Sequence, residues 1–232
     1  MPRSPYWLAI LLALSPTAFA APPSRPLVVE LFTSQGCSSC PPADTYLTEL
    51  ATRPDLLALT FHVTYWDNLG WVDPFSLAAA TDRQRHYASL SGDSEIYTPE
   101  MVIDGRQGVV GSDRHAVAAA LRQDASEATA AVPVQLTRNA AGIAIDVGAG
   151  AGNGTVYLIG FDPQRRTAIA RGENGGRTLL ESNIVRAIAP AGSWTGQPAR
   201  FEHPAPAGQA VAVIVQAEDG RILGAAQLKA GG

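Results

Sequence analysis

Cys37 and Cys40 are the only cysteines of the chain, and just Ser38 and Ser39 separate them. A thiol attacks only as its thiolate, and an unperturbed cysteine is mostly protonated at neutral pH. The N-terminal end of a helix favours the thiolate, because unpaired N–H groups and aligned peptide dipoles gather positive charge there. Pro41 and Pro42 follow directly, and proline is tolerated in a first helical turn, where its missing N–H costs nothing. The pattern therefore predicts a helix starting at the pair, with Cys37 partly exposed as attacking sulfur and Cys40 more buried as the resolving one. A structural staple explains the spacing poorly, since a two-residue gap closes almost no loop. Structural zinc would need two more ligands, and no second Cys or His pair stands at suitable spacing. The chemistry expected of this dithiol is disulfide exchange with exported proteins, small thiols or a redox partner, and no cofactor is called for.

Such a pair must be positioned by the elements around it. Leu27 to Phe32 reads as a strand, and Ala43, Leu47, Leu50 and Ala51 recur at helical spacing after the cysteines. Leu56 to Val63 reads as a second strand, and Ser76 to about Leu90 as a second helix. Glu100–Ile103 and a run near Gly108 to Val110 form a hairpin across Asp104-Gly105. Ser112 or Asp113 caps a last helix. The order strand, helix, strand, helix, strand, strand, helix describes a thioredoxin-like α/β fold over residues 21–127. Beyond it, short alternating runs separated by Gly, Pro, Asn and Asp predict an all-β antiparallel sandwich-like domain over 128–232.

That layout picks out further residues. In thioredoxin-like proteins a cis proline faces the dithiol, and Thr98-Pro99, just before the third strand, takes that place in the order of elements. Glu30, an acid within an apolar strand, is placed to exchange a proton with Cys40, or else to pair with a basic residue. The loop Tyr65–Phe75 leaves the second strand on the edge of the sheet that carries Cys37. Trp66, Asp67 and Trp71, with Tyr97, are expected to line a substrate groove. His62 ends the strand feeding this loop. With Cys37 and Cys40 it offers an alternative, a copper or other soft-metal binding or delivery site.

Arg3, the apolar run Trp7 to Leu14 and Ala18-Phe19-Ala20 form a signal-peptide pattern over residues 1–20. A periplasmic or secreted bacterial protein is expected, without stable membrane insertion after cleavage. A net charge of −4 with no Lys/Arg cluster argues against nucleic acid or anionic membrane as partners.

Longer motifs carry a family resemblance. Val29-Glu30-Leu31-Phe32-Thr33-Ser34-Gln35-Gly36-Cys37-Ser38-Ser39-Cys40-Pro41-Pro42-Ala43-Asp44 resembles the opening signature of domain-of-unknown-function family 1223. His62 to Asp67, Tyr97-Thr98-Pro99, Gly172-Glu173-Asn174 and Asn183-Ile184-Val185-Arg186 fit the same pattern. The resemblance implies an exported bacterial protein of thioredoxin-like fold, and it implies no substrate.

Overall fold

The two apolar runs flanking the cysteines form neighbouring parallel strands. β1 (Leu27–Thr33) and β2 (Leu56–His62) pair in register from Leu27↔Leu56 to Thr33↔His62, joined through α1 (Pro41–Leu50). These elements belong to a computed structural model that describes residues 25–93, 95–127 and 131–229. The expected signal peptide, 1–20, lies outside the described residues. Among them, no helix is long and apolar enough to cross a membrane.

α1 opens on Pro41 and Pro42 and buries Ala43, Asp44, Leu47 and Leu50. α2 (Ala78–Ser91) follows β2, then the hairpin of β3 (Glu100–Ile103) and β4 (Gln107–Val110), then α3 (Arg114–Glu127). Asp113 caps α3 by accepting from the N–H groups of His115 and Ala116. β1 alternates between two cores. Val29 and Leu31 pack with Ala43, Leu47, Val117 and Leu121 under α1 and α3, while Val28 and Phe32 pack with Ala80 and Tyr87 of α2.

The second half departs from the expected self-contained sandwich. β7 (Gly154–Ala168), β8 (Thr178–Trp194), β10 (Ala210–Gln216) and β11 (Ile222–Leu228) extend the first half's sheet to eight strands, ordered β11-β10-β7-β8-β2-β1-β3-β4. The junction is a parallel pairing of Thr60 with Ile184. Thr60 Oγ1 adds a bond to Ser182 O, and Asn183 Nδ2 one to Ala58 O. β5 (Val134–Asn139), β6 (Gly142–Val147) and β9 (Ala199–His203) form a separate three-stranded antiparallel sheet. The physical reason lies in β10, which is buried along its whole length. Val211, Val213 and Val215 pack with Ile143, Ile145 and Trp194, and Ala212 and Ile214 share the α2-side core. A strand covered on both faces needs a layer on each side, and the first half supplies one of them. The apolar run at Thr155–Phe161 continues as one long strand to Ala168, because the ladder with β8 resumes at Gln164↔Ser182 after skipping Pro163, and the chain leaves the strand at Ile169.

The halves also touch at Gly105, which has φ +70° in the β3–β4 turn and whose added Cβ would lie 1.9 Å from Gly220 O. Gly105→Ala is therefore expected to destabilise the fold by about 3 kcal/mol, from backbone strain and a clash with main chain. Urea unfolding with an unchanged slope would register it, and a shift under ~0.5 kcal/mol would contradict the contact.

Candidate functional site

Cys37 and Cys40 are joined as a disulfide at the head of α1, with Cys40 as its N-cap residue. Cys37 is 0% exposed, as is Cys40, so the expected partial exposure of the attacking sulfur is corrected. The second half of the chain is bonded to this loop. Residues 169–177, the connection between β7 and β8, lie as a strap over the cysteine loop. Asn174 Nδ2 donates to Gln35 O at 3.0 Å and to Cys37 O at 2.9 Å, and Glu173 Oε2 accepts the Ser38 N–H at 3.0 Å. Ser38 and Ser39 remain at the surface.

Gln35, two residues before the dithiol, has every polar group engaged. Its N–H donates to Asp73 Oδ2 at 2.8 Å, and its Nε2 to Glu181 Oε2 at 2.6 Å. Its Oε1 accepts from Trp71 Nε1, and its carbonyl from Asn174. The cysteine loop is thus tied to the aromatic loop, β8 and the strap at once.

Beneath α1 lies a buried cluster of Asp44, His62, Asp73 and Glu181. His62 Nδ1 meets Asp73 Oδ2 at 2.7 Å, while His62 Nε2 faces Glu181 Oε1 at 3.6 Å, beyond hydrogen-bond length. Asp44 Oδ1 accepts from Thr33 Oγ1 at 2.8 Å. Asp44 Oδ2, His62 Nε2 and Glu181 Oε1 are buried without a hydrogen-bond partner. Burial first, and then the nearby Glu181, pushes the Asp44 carboxyl up to about 8. Burial alone would lower His62, but Asp73 and Glu181 outweigh it and lift the imidazole to about 9. Glu181 is raised by burial; in Asp73 the His62 charge and hydrogen bonds overcome burial and hold the carboxyl low. The cluster therefore stores protons at neutral pH. A cleft of about 270 Å³ between α1 and the strap's base, lined by Pro41, Thr45, Arg177 and Leu179, reaches Asp44.

The family model described as "Protein of unknown function (DUF1223)" matches residues 28–216, from β1 to the end of β10. The chain belongs to the DUF1223 family. The match spans both halves and takes in the cysteines, the buried cluster and the strap. A crystal structure of protein AGR_C_4864 from Agrobacterium tumefaciens is similar at 31% identity and a TM-score of 0.79, covering 91% of this chain and 97% of that one. HBP35 of Porphyromonas gingivalis is similar in fold alone, at 13% identity and a TM-score of 0.61, with 89% of this chain and 75% of that chain covered. No curated protein sequence matches.

The other residues singled out in this DUF1223 sequence divide sharply. The Thr98–Pro99 peptide is cis, and Thr98 Oγ1 accepts from Trp66 Nε1 at 2.8 Å. Trp66 also backs the cysteine loop, its Cβ 3.4 Å from where a Gly36 Cβ would be. Trp71 reaches the loop through Gln35, whereas Tyr97 is 41% exposed and offers its carbonyl to Gln84. Asp67 is spent within its own loop, accepting from Asp73 N–H and Ser76 Oγ. Glu30 is not behind the dithiol. It is in phase with Val28 and Phe32 on the α2 face, where Arg83 binds it through Nε at 2.9 Å and Nη2 at 2.7 Å.

His62 does lie on the dithiol side, in phase with Leu56 and Ala58 of β2, but both its nitrogens face carboxylates. The cysteines are bonded to each other, and among the described residues no group of three or more His, Cys, Asp or Glu side chains is arranged to hold a metal ion. Sequence reasoning misses Gln35, Asp44, Glu173, Asn174 and Glu181 as site residues. Asp44 alone carries a local signal, four residues beyond Cys40 and hence on the same helical face.

Proposed function

We propose that this chain is an exported, thioredoxin-like thiol–disulfide oxidoreductase acting through Cys37 and Cys40. The observation that carries the reading is the partnerless carboxyl oxygen of Asp44, buried one helical turn beyond Cys40 in a group held protonated into the neutral range. An inert staple has no use for a stored proton there. A resolving cysteine does, because it must shed a proton to attack and regain one when it leaves.

In one direction, the Cys37 thiolate attacks a partner disulfide and one partner sulfur departs as thiolate. Cys40, its proton taken by ionised Asp44, then attacks the Cys37 sulfur of the mixed disulfide. The second partner thiolate leaves, the partner is reduced, and Cys37–Cys40 is oxidised. The reverse sequence reduces Cys37–Cys40, and protonated Asp44 returns its proton to Cys40. Trp66, which packs beside Gly36 and donates to Thr98 Oγ1, is the aromatic neighbour a partner peptide would meet at this loop. An oxidising compartment, consistent with the leader-like residues 1–20, is where such a pair would be met as a disulfide.

Cys40→Ser tests the reading directly. Incubated with a disulfide-bearing protein substrate, this variant should accumulate a mixed disulfide through Cys37, seen as an adduct that dithiothreitol releases. Cys37→Ser should form none. Equal trapping by both variants, or by neither, would contradict the assignment.

A further inference from the structure

The strap over the cysteine loop has an unusual make-up for a segment that seals a buried site. Of residues 170–177, only Asn174 is buried, and the other side chains of this stretch lie at the surface. Its base is closed by the bond from Ile169 N–H to Arg177 O and by the burial of Ile169. Its tip is held to the cysteine loop by Asn174 and Glu173 through three hydrogen bonds. Arg177 Nη1 orients the Asn174 amide by donating to its Oδ1 at 2.9 Å. At the tip, Gly172, with φ +80°, lies close enough that a Cβ there would be 3.1 Å from Trp71 Cβ. A segment held by a few polar contacts and little apolar burial belongs to the low-stability end of a structure, and it opens without the rest.

The cysteines need such an opening if they are to react. Sulfur-on-sulfur attack requires access to Cys37, and Cys37 is fully buried while the strap is down. We propose that Asn174, with Glu173, is a positioning residue that holds the disulfide shut, and that a partner thiol reaches Cys37 only when this strap lifts. Letting go frees three main-chain groups that a partner can take over: the carbonyls of Gln35 and Cys37 and the N–H of Ser38. The strap thus occupies hydrogen-bonding positions on the cysteine loop that an extended peptide would use, and it yields them on exchange. The second half of the chain contributes this control element along with Glu181. The inference rests on the exchange reading for its purpose, but its geometry can be tested apart from that reading.

The test is the rate at which dithiothreitol reduces Cys37–Cys40 in the full mature chain, at urea concentrations well below the unfolding transition. Asn174→Ala should react about tenfold faster than wild type, as expected from losing two buried hydrogen bonds. Glu173→Gln, at an exposed position that does not threaten folding, should react roughly two- to threefold faster. The wild-type rate should be nearly independent of urea in this range, because lifting a short strap exposes little surface. Equal rates in all three proteins would overturn the proposal. So would a wild-type rate that climbs with urea in step with global unfolding, since a merely structural Asn174 would act only through that route. Mixed-disulfide trapping is read separately. If Asn174→Ala opens the disulfide but no protein substrate is ever trapped, the exchange reading fails and the strap stands. Unchanged reduction rates with successful trapping would instead overturn the strap and leave the exchange reading in place.

Discussion

Asp44→Asn should slow closure of the Cys37–Cys40 disulfide on a bound partner by about 10²-fold or more, the usual scale for losing a positioned proton acceptor. Asparagine keeps the shape and the bond to Thr33 Oγ1, so the loss would be of proton transfer rather than packing. The stability consequence has a definite sign. The Asp44 carboxyl is raised from an ordinary 3.8 to about 8, so the native state keeps a proton that the unfolded chain gives up. Wild-type stability from this group is full below about pH 4 and is lost as the pH rises towards 8. The variant has no such group, so its stability relative to wild type should climb between about pH 4 and 8 and then level off. His62 is also raised, from 6.5 to about 9, and its contribution fades over that interval in both proteins. Urea unfolding from acid to alkaline pH, alongside single-turnover kinetics, checks both halves of the prediction. A flat stability difference would mean that Asp44 stores no proton.

Arg83→Ala should destabilise the protein by about 3–5 kcal/mol while leaving disulfide chemistry intact. Arg83 is buried on the α2 face, bound to both carboxylate oxygens of Glu30, and it also donates to Tyr87 Oη and to Gln216 Oε1 of β10. Its guanidinium lies over the rings of Phe61, Tyr87 and Tyr157, at 5.1–5.8 Å from their centroids. Truncation leaves Glu30, 1% exposed, as an uncompensated buried acid. The double change Arg83→Met with Glu30→Gln removes both charges and should recover much of the loss. The rate of disulfide reduction in the native state should stay within about twofold of wild type, since the pair lies across the sheet from α1. A large change in that rate would mean that Glu30 serves the dithiol after all.

Asp44 and Glu30 show what the sequence can and cannot convey. Both sit near the cysteines in the chain, and Glu30 stands out because an acid in an apolar strand is costly. The strand's period of two decides its role: one residue's shift puts it across the sheet from the dithiol. The first seven elements are legible because each has its own signal, from the proline pair opening α1 to the Asp104-Gly105 turn. The partners from the second half have no signal that ties them to the cysteines. Gln35 finds Glu181 across 146 residues, and Asn174 reaches Cys37 across 137, distances at which no spacing rule operates. Most of the alternating runs beyond residue 131 do form strands, but local pattern cannot say that β8 will lie beside β2. That single adjacency turns an expected separate domain into part of the site.

The most direct measurement is the reduction potential of the Cys37–Cys40 couple in the mature protein, equilibrated against dithiothreitol and glutathione buffers. Disulfide exchange as its function predicts a reversible couple lying above roughly −300 mV, outside the range of structural disulfides. A potential well below that, or a disulfide that reopens only when the protein unfolds, would contradict it and return the pair to the role of a staple.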